Sequence, residues 1–287
     1  MSRISYVNGR YLPHRDALVH VEDRGFQFAD AVYEVFAIRR GGLVDEALHL
    51  ARLARSLAEL RMAPPMGEAA LKLVLREVIR RNRVANGTLY LQVSRGAAPR
   101  DFVFPKAARP TLVVTVRPQR RQDPRLLEEG VGVITIPDIR WGRPDIKTVG
   151  LLPNALGKQQ ARDTGAFEAW QVDRDGRVTE GTSTNAWIVT ADGEVVTRQA
   201  DHSILNGVTR YGLLQLLGGE GLRLAERPFS VAEAKAAREA FLTSTTNFVL
   251  PVVSIDGAPV ANGHPGTLTL RLRALYDAYV AAQVAAP

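Results

Sequence analysis

The chain has five lysines, Lys72, Lys106, Lys147, Lys158 and Lys235, against 32 arginines, so a reaction that needs a side-chain amine has five candidates. Lys72 falls among Leu71, Val74 and Leu75 on the expected outer face of a helix. Lys158 and Lys235 have polar neighbours in helical stretches, and Lys106 follows Phe104-Pro105 in a loop. A solvated side chain accounts for each of these four. Lys147 is different: it follows Asp145-Ile146 and precedes Thr148-Val149-Gly150-Leu151-Leu152. An amine in apolar surroundings is poorly hydrated and becomes nucleophilic, as a Schiff-base lysine must be. A lysine snorkelling out of a half-buried segment would leave the same local pattern.

Two further segments could bind an anion. Asn206-Gly207-Val208-Thr209-Arg210 opens an apolar helix, and a helix N-terminus offers free backbone donors and positive dipole, with glycine allowing close approach. Thr209 would also serve as a plain helix cap. Thr243-Ser244-Thr245-Thr246 is a hydroxyl cluster at the end of a strand-like run. It suits phosphate oxygens, although β-propensity followed by a turn explains it too. A nucleophilic lysine and two phosphate-type segments in one half of the chain together suggest pyridoxal 5′-phosphate.

Other chemistries find little support. The absence of cysteine excludes disulfides, a thiol nucleophile and Cys-ligated metals, and makes a reducing cytoplasm the expected compartment. No two of His14, His20, His49, His202 and His264 lie at metal-ligand spacing. There is no G-x-S-x-G, no G-x-G-x-x-G after a strand, and Gly157-Lys158 lacks the rest of a phosphate-binding loop. The net charge is +7, but the arginines are spread out, the densest group being Arg117, Arg120, Arg121 and Arg125. No basic run of nucleic-acid type occurs. No apolar run approaches the ~20 residues of a membrane helix, and Met1-Ser2-Arg3-Ile4 does not open a signal peptide. Neither a nucleic-acid nor a membrane partner is expected.

The elements that must position these residues alternate between strands and helices. Asn8-Gly9 and Gly41-Gly42 mark hairpin turns. Leu50, Leu53, Leu57 and Leu60 predict an amphipathic helix over 46–61, and Leu71 to Ile79 another. Leu89–Val93 and Thr111–Val116 read as strands. The proline-bearing stretch 118–124 interrupts regular pairing. It predicts an N-terminal α/β domain over 1–118, a linker over 119–124 and a C-terminal α/β domain over 125–287 that carries Lys147. In the second domain we expect a helix at 154–164, strands at 168–172, 185–189 and 194–197, a helix from Thr209 to Gly218, strands at 239–243 and 249–255, and a final helix over 266–282. The fold class is α+β, or mixed α/β.

Several segments carry a resemblance over nearly the whole chain. Arg24-Gly25-Phe26-Gln27-Phe28-Ala29-Asp30-Ala31-Val32-Tyr33-Glu34-Val35, Asp138-Ile139-Arg140-Trp141 through Lys147, Val178 to Asn185, Leu205 to Arg210 and Thr243 to Thr246 resemble the fold-type IV pyridoxal-phosphate enzymes. Among these the chain is most similar to the D-amino acid aminotransferases. The resemblance implies two domains with the cofactor at their interface and a homodimer. It also implies ping-pong transfer of an amino group from a D-amino acid to a 2-oxo acid. Lys147 would hold the cofactor as a Schiff base and then act as acid and base. Glu180 would face the pyridine nitrogen and Leu205 the ring. Arg52, Val208, Thr209, Ser244 and Thr245 would bind the phosphate.

Substrate carboxylates in that family meet a tyrosine and an Arg-x-His loop lent by the partner subunit. Tyr33 and Arg100 match, whereas Phe102 stands where histidine is expected. One donor is exchanged for an apolar ring, which keeps an (R)-selective amine transaminase in view. A branched-chain L-amino acid aminotransferase and an aminodeoxychorismate lyase also fit within the fold. Outside it, a basic polyanion-binding protein is the competing reading.

Overall fold

A computed structural model describes residues 3–119, 123–219 and 221–284. It is a mixed α/β structure whose backbone contacts divide into two compact units. One comprises Met1–Arg121, Ile146–Gly150 and Gln283–Pro287; the other comprises Gln122–Asp145 and Leu151–Ala282. Of the linker expected over 119–124, residues 120–122 lie outside the described residues.

The first unit holds β1 (Ile4–Val7), β2 (Arg10–Pro13), α1 (Arg24–Phe28), β3 (Ala31–Arg39), β4 (Gly42–Leu43), α2 (Glu46–Glu59), α3 (Glu68–Asn82), β5 (Gly87–Ser94) and β6 (Thr111–Pro118). Its antiparallel sheet runs β2-β1-β6-β5-β3-β4. Strand alternation turns Val32, Phe36 and Ile38 of β3 into one core with Leu50, Leu53 and Leu57 of α2 and Leu75 and Val78 of α3. Tyr33 and Val35 stand on the other face and are only half-buried. The second hairpin turns through Arg40-Gly41, one residue earlier than expected, because Gly42 already pairs with Arg39.

Sequence order put Lys147 in the C-terminal domain, but 146–150 packs with the first unit. Ile146 enters the first core, Tyr33 N donates to Lys147 O at 3.0 Å, and Val149 N donates to Ala31 O at 3.1 Å. The lysine segment is thus a short extra partner of β3.

The second unit holds α4 (Arg125–Glu128), β7 (Val131–Pro137), α5 (Leu152–Asp163), β8 (Glu168–Val172), β9 (Val178–Gly181), β10 (Asn185–Val189), β11 (Val195–Thr197), α6 (Val208–Gly218), β12 (Leu224–Glu226), α7 (Val231–Lys235), β13 (Glu239–Ser244), β14 (Phe248–Ile255), β15 (Ala258–Pro259) and α8 (Thr267–Gln283). The sheet order is β12-β11-β10-β13-β14-β7-β8-β9, with β15 on β14. Its core gathers Trp170, Ile188, Phe229, Leu242 and Leu250. The pairing of Asn185 with Thr243 sets the start of β10 beside the Ser244-Thr245 end of β13, and α6 packs on β13.

One glycine fixes the start of the loop that carries Arg100. Gly96 has φ +102°, and a Cβ there would lie 1.9 Å from Arg109 O. Gly96→Ala is expected to destabilise the protein by about 2 kcal/mol. An unchanged urea midpoint would contradict that reading.

Candidate active site

In the first unit, Lys147 sits against Tyr33. Its Nζ donates to Tyr33 Oη at 3.4 Å and lies 4.4 Å from the ring centroid. Tyr33 stacks on Tyr90 at 5.6 Å. Tyr90 Oη donates to Gln92 Oε1 at 2.7 Å, and burial, with Tyr33 adding to it, pushes the Tyr90 pKa up to about 12. Lys147 N donates to Ser56 Oγ at 3.4 Å, and Ser56 lies one helical turn after Arg52 on α2. The lysine segment therefore meets the helix face that also carries Arg52.

Arg52 is oriented by a carboxylate buried behind it. Its Nε donates to Glu34 Oε1 at 2.8 Å and its Nη2 to Glu34 Oε2 at 2.7 Å. His49 Nδ1 lies 2.7 Å from the same Oε2. Glu34 is fully buried. Burial alone would raise its pKa, but Arg52 and His49 outweigh it and hold it at about 2. Burial lowers the His49 pKa, with Glu34 opposing.

Arg100 and Phe102 lie elsewhere on this unit. The Arg100 guanidinium stands 5.1 Å from the Phe28 ring and 5.8 Å from the Phe102 ring. Phe102 meets Phe28 edge-on at 5.5 Å and is 79% exposed. Among the described residues no hydrogen bond or ring contact joins either of them to Tyr33 or Lys147.

In the second unit, Glu180 is buried near the end of β9. Oε1 accepts from Arg140 Nη1 and, at 3.0 Å, from Leu205 N; Oε2 accepts from Asn185 Nδ2 at 2.9 Å. The same Asn185 Nδ2 lies 3.0 Å from Leu205 O. Arg140 also forks onto Asp138 at 2.9 and 2.7 Å, and Thr179 Oγ1 donates to Asp138 at 2.8 Å. Burial works against both charges. Even so, Asp138 stays below the usual carboxylate range, held by Arg140 and Thr179. Hydrogen bonding and charge from Asp138 and Glu180 likewise hold Arg140 above its ordinary value.

This unit fits a phosphorylated pyridine. The α6 N-terminus has no side-chain cap, so its first amides are available to an anion. Val208 and Thr209 there are buried. Gly207 lets the helix opening pack closely on Asn185: a Cβ on it would lie 2.0 Å from Asn185 Oδ1. Ser244 and Thr245 are half-buried at the neighbouring strand end. A guanidinium beside a carboxylate favours its ionised form, and an ionised acceptor is what a protonated ring nitrogen requires.

The structure thus brings together Lys147 with Tyr33 in one unit and Glu180, Leu205, Val208, Thr209, Ser244 and Thr245 in the other. Arg140, Asn185, Glu34 and Ser56 were given no role from sequence. Only Glu34 left a readable signal, as a carboxylate on the otherwise apolar side of Val32, Phe36 and Ile38. Lys158 corrects an expectation: its Nζ donates to Phe167 O at 2.5 Å and lies 3.5 Å from the buried Glu168, rather than being simply solvated.

Residues 31–255 match the family described as amino-transferase class IV. A D-alanine aminotransferase from Bacillus licheniformis is 42% identical over 262 residues, 91% of this chain and 92% of that protein. One from Staphylococcus epidermidis is 35% identical over 275 residues, 96% and 97% of the two chains. The fold is also similar to that of the Escherichia coli branched-chain amino acid aminotransferase, with a TM-score of 0.90, 23% identity, and coverage of 98% of this chain and 95% of that one.

The buried triad gives a pH prediction. Glu34 has a depressed pKa, so its stabilising contribution is complete above its ordinary value of 4.5 and is lost as pH falls toward about 2. His49, held neutral, adds a decline that begins as pH drops through 6.5. Glu34→Gln should lower stability at neutral pH yet flatten its fall between pH 5 and 3, which urea unfolding at several pH values would show. Parallel curves for both proteins would refute the assignment.

Proposed function

The chain belongs to the class IV aminotransferases and is a pyridoxal-phosphate-dependent aminotransferase; on that premise we propose that it moves an amino group from a D-amino acid of the alanine type to a 2-oxo acid. The 42% identity to a D-alanine aminotransferase carries this reading, and the Lys147–Tyr33 pair supports it.

The cofactor, when bound, supplies an electron sink that stabilises negative charge at the substrate Cα. The rest belongs to the chain. Lys147 Nζ would hold the cofactor, and the same amine would take the proton from the substrate Cα and return it. Tyr33, within hydrogen-bond reach of that amine, orients it and takes part in holding the substrate carboxylate. Glu180, fixed by Arg140 and Asn185, would accept from the pyridine nitrogen, and Leu205 would pack against the ring. Arg52, the Val208 and Thr209 amides, the Thr209 hydroxyl, Ser244 and Thr245 would bind the phosphate.

Arg100 takes a substrate carboxylate in the site of a second copy, so the working assembly is a homodimer. Two observations support this. Among the described residues no hydrogen bond or ring contact joins Arg100 to Lys147 or Tyr33, and Leu18, Val21, Phe26, Phe102 and Val103 are exposed apolar side chains on the same unit that a partner would cover. No helix among the described residues is long and apolar enough to cross a membrane. With cysteine absent, a reducing cytoplasm is the compartment we propose.

Phe102 favours a second reading, in which amines carrying an aromatic group in place of the carboxylate are also accepted. Mixing holoenzyme with D-alanine, L-leucine or (R)-1-phenylethylamine, one at a time, while following loss of the cofactor absorbance separates the donors. D-alanine should react fastest, and Lys147→Ala should react with none. Rapid reaction with L-leucine and none with D-alanine would overturn the donor assignment. Phe102→His restores a donor and should lower KM for D-alanine about tenfold. An unchanged KM would show that Phe102 plays no part in carboxylate binding.

A further inference from the structure

Beside the loop that carries Arg100 lies a cluster of buried charge that the reaction itself does not use. Arg24 and Arg95 are both buried and share one carboxylate, Asp30. Arg24 Nε donates to Asp30 Oδ2 at 2.8 Å. Arg95 donates to Oδ2 at 2.7 Å and to Oδ1 at 3.0 Å. Arg95 also reaches Leu60 O at 2.8 Å and Arg61 O at 3.1 Å, the end of α2. That leaves the pair tied to the core of the unit on one side.

On the other side both arginines grip the loop. Arg24 Nη1 donates to Asp101 O at 2.5 Å, between Arg100 and Phe102 in sequence, and Arg24 N donates to Gly96 O at 2.9 Å. Arg95 lies 3.7 Å from the centroid of Phe104, and Arg61 lies 5.4 Å from it. Phe28 has the Arg24 guanidinium at 4.5 Å and that of Arg100 at 5.1 Å, with Phe102 edge-on. Stacking on a ring fixes the plane of a guanidinium without consuming its donors. Arg100 can therefore be oriented and still present its N–H groups to an anion.

We propose that Arg24, Arg95 and Phe104 are positioning residues that hold the 97–105 loop in the shape that presents Arg100 to the substrate carboxylate. This rests on the reading above that Arg100 takes that carboxylate. It assigns to the Arg24 that begins the Arg24–Val35 signature a task at the loop that carries Arg100.

The test uses holoenzyme with Arg24→Lys, Phe104→Leu and Arg100→Ala. Arg24→Lys keeps the charge but loses the fork; Phe104→Leu keeps apolar bulk but removes the ring. For both, KM for D-alanine should rise about tenfold, while kcat and the affinity for added pyridoxal phosphate stay within about twofold. Trypsin cleavage after Arg100 should also become faster, because the loop is released. If Arg100→Ala raises KM and neither positioning variant does, the hub is wrong and the carboxylate reading stands. If Arg100→Ala itself leaves KM unchanged, the carboxylate reading fails and the proposal falls with it. A joint fall in kcat and cofactor affinity in both positioning variants would show general structural support and overturn the proposal as well.

Discussion

A carboxylate removed from water must be answered by a fixed cation and hydrogen-bond donors, or it will take up a proton or open the fold. This constraint organises the protein. Glu34, Asp30 and Glu180 are each withdrawn from solvent, and each is met by arginine: Arg52, the Arg24–Arg95 pair, and Arg140. Each pairing in turn fixes a segment to which a task is assigned. Glu34 aims Arg52 from behind. Asp30 seats the two arginines that grip the 97–105 loop. Glu180, held also by Asn185, ties the end of β9 to Leu205 and so to the opening of α6.

Stability alone does not explain such pairs, because burying two charges costs about as much as their attraction returns, and apolar replacements of similar volume are often neutral or better. What they supply is direction. A leucine in place of Glu34 would fill the space beside Phe36 and His49 but would leave the Arg52 fork unaimed. Positions of this kind follow a hydrophobic pattern and then break it at one residue. β3 shows it plainly, where Val32, Glu34, Phe36 and Ile38 share the core face and only one is charged.

That break also marks how far the sequence could be read. Local signals were legible: the hairpin turns, the leucine spacing of α2, and a helix opening next to Asn206-Gly207. Glu34 was visible in the strand alternation, though its partners on α2 were not, since they lie 15 and 18 residues away. Arg140 and Glu180 are 40 residues apart, and nothing in either neighbourhood indicates the other. The same holds for Lys158, whose bond to Phe167 O depends on how α5 turns back on β8. Sequence order also misled at Lys147. Position along the chain put it with the second domain, but backbone pairing with β3 and the burial of Ile146 put it with the first. Periodicity reports which face is buried, and does not report which distant segment covers it.

The excess of arginine over lysine first reads as a composition bias, and on the exposed helix faces, as at Arg80 and Arg81 beside Glu77, that reading suffices. It does not suffice for the buried arginines. Arg52 on Glu34, Arg95 on Asp30 and Arg140 on Asp138 each place two nitrogens on the two oxygens of one carboxylate. An ammonium can offer that carboxylate charge but not a planar fork. Arg24 and Arg95 go further, each donating to main-chain oxygens and lying near an aromatic ring with the same guanidinium. Lysine could not meet these demands together. Conversely, the residue that must act as a nucleophile has to be able to lose its proton, which arginine cannot do at neutral pH. On the proposed assignment the skew in composition separates two duties: arginine where a positive charge must hold still, and a lysine, Lys147, where it must be given up.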